Sequence, residues 1–188
     1  MTAKPLTFDA AHGELLIRTG VTGRAAKMGH RLTLAMQTWQ ATVAMSGDRP
    51  SAVELTIEVN SLRVLRGEGG LTPLSTPEKA LIRGNALKCL RANEHPLIQF
   101  RSNEIEPTAD GYRLTGELTI AGRTNPHLIS VQIGRNGESL QVTGSSMVCH
   151  SDFGVRRYSM ALGAMQVADE VEISLSANVA HDLDPDVS

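Results

Sequence analysis

The sequence predicts a mainly β fold, an extended eight-stranded antiparallel barrel with one helix inserted between strands. Three observations predict it: long runs of apolar–polar alternation, tight-turn dipeptides between the runs, and one stretch where the alternation lapses. A strand with one buried face repeats every second residue, which separates it from the helical period of about 3.6.

The alternation is clearest in three places. Val53, Leu55, Ile57 and Val59 alternate with Glu54, Thr56 and Glu58. Tyr112, Leu114, Leu118 and Ile120 alternate with Arg113, Thr115, Glu117 and Thr119. Val171, Ile173, Leu175, Ala177 and Val179 alternate with Glu172, Ser174, Ser176 and Asn178. Shorter runs occupy residues 14–19, 97–105, 127–133 and 140–148. In residues 32–45 the apolar parity changes, from Leu32, Leu34 and Met36 to Trp39, Ala41, Val43 and Met45. One inserted residue near Gln37 and Thr38 restores a common face, so a β-bulge is expected there.

Turn chemistry divides the runs. Ser46-Gly47-Asp48-Arg49-Pro50, Asp110-Gly111 and Asn136-Gly137 carry the residues that tolerate the positive φ of tight hairpins. About eight strands result. Eight antiparallel strands with one apolar face close most readily into an up-and-down barrel. Residues 60–75 are Gly-rich and irregular, and Thr76-Pro77-Glu78 then reads as N-cap, proline at the first helical position and an acid in the first turn. A helix is expected from Pro77 to about Arg91, with Ile82, Ala86, Cys89 and Leu90 on one face.

With 188 residues the chain suits one domain, expected over residues 1–180, followed by a polar tail at 181–188. Aromatics are only 3 %, so a cavity in such a barrel must be lined mainly by aliphatic side chains. The formal net charge of −2 argues against nucleic acid as the partner. No run reaches the roughly 18 consecutive apolar residues that a membrane helix needs, so no membrane insertion is expected. The N-terminus lacks an apolar signal segment, and a cytoplasmic location follows as an expectation. Cys89 and Cys149 read as reduced thiols, although one bridge between them stays open.

Chemical motifs are sparse. None of the six histidines forms a local metal-binding spacing, no nucleophile elbow occurs, and Gly67-Glu68-Gly69-Gly70 lacks the residues of a phosphate loop. No metal, cofactor or catalytic residue is therefore expected. Two polar clusters, His30 with Arg31 and Arg156 with Arg157, suit charge-assisted binding of a head group at a barrel mouth. The plainer alternative is that His30 satisfies a buried turn and the arginines are solvated.

A set of short segments then resembles the YceI-like lipid/polyisoprenoid-binding family, in order from about Leu15 to Val179. They include Gly29-His30-x-Leu32 with Trp39 downstream, Ser61-Leu62-x-Val64, and Gly67-x-Gly69-Gly70-x-x-Pro73-Leu74. They continue with His95-Pro96-x-Ile98-x-Phe100-x-Ser102 and Gly116-x-Leu118-Thr119-Ile120-x-Gly122-x-Thr124-x-Pro126. Asp152-Phe153-Gly154-Val155, Tyr158-Ser159 and Val167-x-Asp169-x-Val171 complete the series. The resemblance implies a lipocalin-like barrel that holds an isoprenoid-type lipid inside, without catalysis, and a homodimer. Arg31 and Arg157 stand where many relatives carry Asp and Pro, which adds positive charge near these motifs.

The expected ligand is thus an isoprenoid or other lipid chain. Expected lining residues are Ile17, Leu34, Trp39, Val43, Ile57, Phe100, Leu118, Phe153 and Met160, with His30, Arg31 and Arg156 as head-group candidates. A ligand-free barrel acting through its surface as a stress-related interaction module is the alternative. A small enzyme with a metal on dispersed histidines is the third.

Overall fold

The computed structural model describes residues 4–180. The expected tail at 181–188 lies outside the described residues. Twelve strands and one α-helix occur in the order β1 (Leu6–Asp9), β2 (Gly13–Thr22), β3 (His30–Met36), β4 (Trp39–Ser46), β5 (Arg49–Glu58), β6 (Leu62–Gly69), α1 (Thr76–Cys89), β7 (Leu97–Pro107), β8 (Gly111–Ile120), β9 (Arg123–Asn136), β10 (Ser139–Cys149), β11 (Ser159–Met160) and β12 (Met165–Ala180). The strands form one curled antiparallel sheet.

The count of twelve corrects the expected eight, and kinks explain the difference. β1 and β2 run in line along β4 and β3, through Leu6↔Val43 and Leu15↔Met36. β3 and β4 likewise run in line along β6 and β5, through Met36↔Leu62 and Trp39↔Ile57. Each of these long strands is broken once, and β11 is a two-residue hairpin arm on β12. Counted as continuous walls, the long strands make an eight-membered antiparallel circuit, closed where β12 pairs β2.

The expected bulge at Gln37 and Thr38 is instead a break between β3 and β4. The chain keeps its partner across the break, because Gln37 N donates to Ser61 O at 3.2 Å and Glu58 N to Thr38 O at 3.0 Å. The extra residues lie on the facing strand, in the 3-10 turn Val59–Ser61. Parity arithmetic on one strand cannot tell which side of a ladder holds the insertion.

The helix starts at Thr76, one residue before the expected Pro77, and its cap shifts with it. Ser75 is the N-cap: its Oγ accepts from Glu78 N, and its own N–H donates to Glu78 Oε2 at 2.7 Å. Glu78 stands three residues after Ser75, which makes Ser75 and not Thr76 the partner of a capping box. The helix ends at Cys89, and Arg91 follows at φ 51°.

The two ends of the barrel differ. The β4–β5, β7–β8 and β9–β10 hairpins turn at one end. The opposite end carries the β2–β3 connection, α1 and residues 150–164, and here the wall opens twice. Among the described residues β6 has no strand on its outer side, and α1 packs there. The β9–β10 ladder stops at Ser130↔Ser145, and the 3-10 turn His150–Phe153 packs against both strands beyond it.

Candidate ligand-binding cavity

The inward side chains do not fill the barrel. They enclose a cavity of about 410 Å³, within the range of small-ligand sites. Alternation decides which residues reach it: Leu15, Ile17, Thr19 and Val21 from β2, Val53, Leu55 and Ile57 from β5, and Ile173 and Leu175 from β12. All three phenylalanines, Phe8, Phe100 and Phe153, line it, and the remaining wall is largely aliphatic, as the low aromatic content requires. Ile82, Asn85, Ala86 and Cys89 of α1, with Leu90 at its C-cap, form the wall beside β6. Met28, Tyr158 and Met160 both line the cavity and face solvent, which places its mouth at the end carrying α1.

The mouth is held by short polar contacts. The His30 ring donates Nε2–H to Thr72 O at 2.7 Å. The loop carrying Thr72 lies so close that a Cβ at Gly70 would come within 2.5 Å of the His30 ring. Gly70 also has φ 71°, so both sterics and backbone demand glycine there. On the other side, His150 donates Nδ1–H to Asp169 O at 2.7 Å. The Asp169 carboxylate accepts from Ser151 N at 2.8 Å and Ser151 Oγ at 2.5 Å, and these bonds hold it below the usual carboxylate range. This clamp seats the turn that carries Phe153.

A family model described as the YceI-like domain matches residues 5–179. The chain belongs to the YceI-like family. Among solved structures, it is similar to Burkholderia cenocepacia BcnA at 20 % identity, with a TM-score of 0.68, over 92 % of this chain and 99 % of that one. It is also similar to the Campylobacter jejuni YceI protein at 15 % identity, with a TM-score of 0.58, over 79 % and 84 % of the two chains. A mutant of that protein with a monobromobimane guest aligns at 14 % identity and a TM-score of 0.60. At these identities the likeness concerns the fold. No curated protein matches the chain.

Within this YceI-like barrel, Ile17, Leu34, Ile57, Phe100, Leu118, Phe153 and Met160 of the sequence-derived set lie on the cavity wall. Trp39 and Val43 do not. Trp39 is 3 % exposed and packs edge-on against Phe8, with ring centroids 6.2 Å apart, so it serves the core behind the cavity. Val43 packs against the core from β4, beside Leu6 of β1, also off the cavity wall. Among the head-group candidates, His30 and Arg156 line the cavity near its mouth. Arg31 alternates with His30 on β3 and projects outward beside Glu68 of β6. That parity was readable in the sequence.

Sequence reasoning missed the helix face as cavity wall, and it missed His127 and Ser146. Both of these residues line the cavity and are hydrogen-bonded to each other. Burial holds the His127 imidazole below its ordinary pKa, with Asp152 acting weakly the other way. Burial raises the Cys89 thiol, opposed by the Arg156 charge, so Cys89 stays protonated at neutral pH. Cys89 and Cys149 are both free. Among the described residues no group of three His, Cys, Asp or Glu side chains gathers as a metal would require, and no helix is long and apolar enough to cross a membrane.

Proposed function

We propose that this YceI-like protein binds a long apolar molecule, an isoprenoid or other lipid chain, inside the barrel and carries it without transforming it. One observation carries the reading: a largely aliphatic cavity of about 410 Å³ that opens at one end of the barrel. Each CH₂ moved from water into such a wall contributes about 0.8 kcal/mol, so chain length alone supplies affinity. Arg156 at the mouth suits a polar head group left near solvent.

Native mass spectrometry of protein purified without detergent, followed by solvent extraction, tests this. A stoichiometric adduct that extracts as a long apolar molecule is expected. A clean unliganded mass, with no uptake on incubation with a polyisoprenol, would overturn the reading.

A homodimer belongs to the same reading. Leu128 and Met147, each about half exposed, project from the outer faces of neighbouring β9 and β10 and offer an apolar contact surface. Sedimentation velocity at micromolar concentration should show a dimer, and a monomer there would remove it.

A further inference from the structure

His127 and Ser146 interrupt an apolar wall. On β9, His127 faces inward with Ile129 and Val131, and on β10, Ser146 faces inward with Val142 and Val148. Both lie just past Ser130↔Ser145, where the β9–β10 backbone ladder ends. Their side chains, His127 Nε2 and Ser146 Oγ, join the two strands where the main chains no longer do. The Phe100 ring meets the imidazole edge-on, with centroids 6.4 Å apart, and limits its rotation.

Counting protons shows what the pair lacks. A neutral imidazole has one N–H and a serine has one O–H. Their mutual bond uses one of these two donors. If Ser146 donates, the N–H on Nδ1 is left over; if His127 donates, the serine O–H is left over. Neither side chain has a second hydrogen-bond partner among the described residues. In every tautomer one donor of this cavity-lining pair therefore remains without a protein partner among the described residues.

A hydrocarbon segment cannot satisfy that donor, whereas an uncharged oxygen acceptor can. A phosphate or carboxylate is a poor match at this depth, since burying its charge against aliphatic walls is costly. No carboxylate orients Nδ1 of His127 among the described residues, so the pair lacks the third member that sets a catalytic base.

We propose that His127 and Ser146 form a binding site, inside the barrel, for an uncharged carbonyl oxygen borne on the apolar ligand. The inference rests on the interior-binding reading above and names the ligand's chemistry: a long chain bearing a ketone, ester or amide rather than a pure hydrocarbon.

Displacement of N-phenyl-1-naphthylamine, an uncharged apolar fluorophore, tests it with two probes of equal length, 8-pentadecanone and pentadecane. Relative to the alkane, the ketone is expected to compete about tenfold better with wild-type protein than with a variant that has no donor, the factor that one buried hydrogen bond of ordinary strength supplies. Ser146→Ala keeps the imidazole N–H and so keeps the preference. The double variant His127→Phe with Ser146→Ala has no donor and should lose this tenfold advantage, because the buried carbonyl then gives up its water without a new partner, while still taking up the fluorophore.

A ketone-to-alkane ratio that is the same in wild-type protein and in the double variant would overturn the proposal while leaving interior binding intact. Failure of wild-type protein to bind the fluorophore and both probes would overturn both readings together. If the double variant does not fold, the carbonyl stretch of the ketone bound to wild-type protein decides. A frequency below that in alkane solvent supports the hydrogen bond, and the alkane value overturns it.

Discussion

Arg83 of α1 donates from Nε to the carbonyl oxygen of Leu62 on β6, at 2.7 Å. The same guanidinium reaches Asn60 O at 2.6 Å, and Lys79, one turn earlier, reaches Leu65 O at 2.9 Å. An unpaired strand edge exposes a row of such carbonyls, and proteins cover it with a helix or with charged side chains. Here one helix does both, because its side chains take the hydrogen-bonding place of a missing strand.

Arg83→Met should therefore weaken the barrel edge and not only the helix surface. Loss of two charge-assisted bonds predicts a destabilisation of about 1–3 kcal/mol. A urea midpoint matching wild type would mean that water serves these carbonyls equally well.

Leu118→Trp tests the interior directly. Leu118 is 7 % exposed and lines the cavity, so an indole there enters the space a ligand would occupy. Overpacking costs about 1–3 kcal/mol where the wall is tight, which a barrel of this size should survive. Uptake of an apolar fluorophore should be lost while the far-ultraviolet circular dichroism keeps its β signature. Full uptake by the folded variant would put binding elsewhere.

The His127 environment makes stability fall with pH in a defined window. Burial lowers its pKa in the folded state, so the unfolded chain takes up the proton first as pH drops. Above the unfolded histidine value of about 6.5 the two states bind no proton and nothing is lost. Below it, stability declines until the folded state also protonates. The melting temperature of wild-type protein should fall more between pH 7.5 and pH 5 than that of His127→Phe. Parallel curves would show that this imidazole is not desolvated.

Leu162 sits at φ 55° beside Ala161 at φ 49°, in the turn between β11 and β12, with its side chain fully exposed. A left-handed conformation costs a non-glycine residue roughly 1–2 kcal/mol. Leu162→Gly removes that strain and loses no packing, while its freer unfolded chain returns up to about 1 kcal/mol. A net gain of about 0.5–1 kcal/mol is expected by denaturant titration. A clear loss would mean that the leucine is held by contacts in solution.

Trp39 carries a buried indole N–H with no hydrogen-bond partner among the described residues. Trp39→Phe removes that orphan donor and keeps an aromatic ring against Phe8, so it should cost well under the roughly 3–5 kcal/mol expected for Trp39→Ala. Comparable losses in chemical denaturation would show that indole volume, and not the donor, governs this part of the core.

Much of the fold was legible because strand periodicity is a local property. The alternation at Val53, Leu55 and Ile57 and at Leu114, Leu118 and Ile120 marks the residues that turn inward. The face Ile82, Ala86, Cys89 and Leu90 marks the side of α1 that packs on the barrel. The same rule separates His30 from Arg31, which alternate and so face opposite ways. The site was less legible. Trp39 and Leu34 both read as inward apolar residues, yet one lies behind the cavity wall and the other on it.

The sequence by itself determined the strand class, the single inserted helix, the family and most of the inward-facing residues. Each of these follows from periodicity, turn chemistry or the order of short motifs along the chain. Only the tertiary structure decided where the long strands kink, that the interior is hollow, and that α1 closes the edge of β6. It alone brought His127 of β9 against Ser146 of β10, where the ladder between their strands has ended. The reason is physical: alternation fixes the direction of a side chain, whereas its neighbour and the space in front of it depend on strands far apart in sequence.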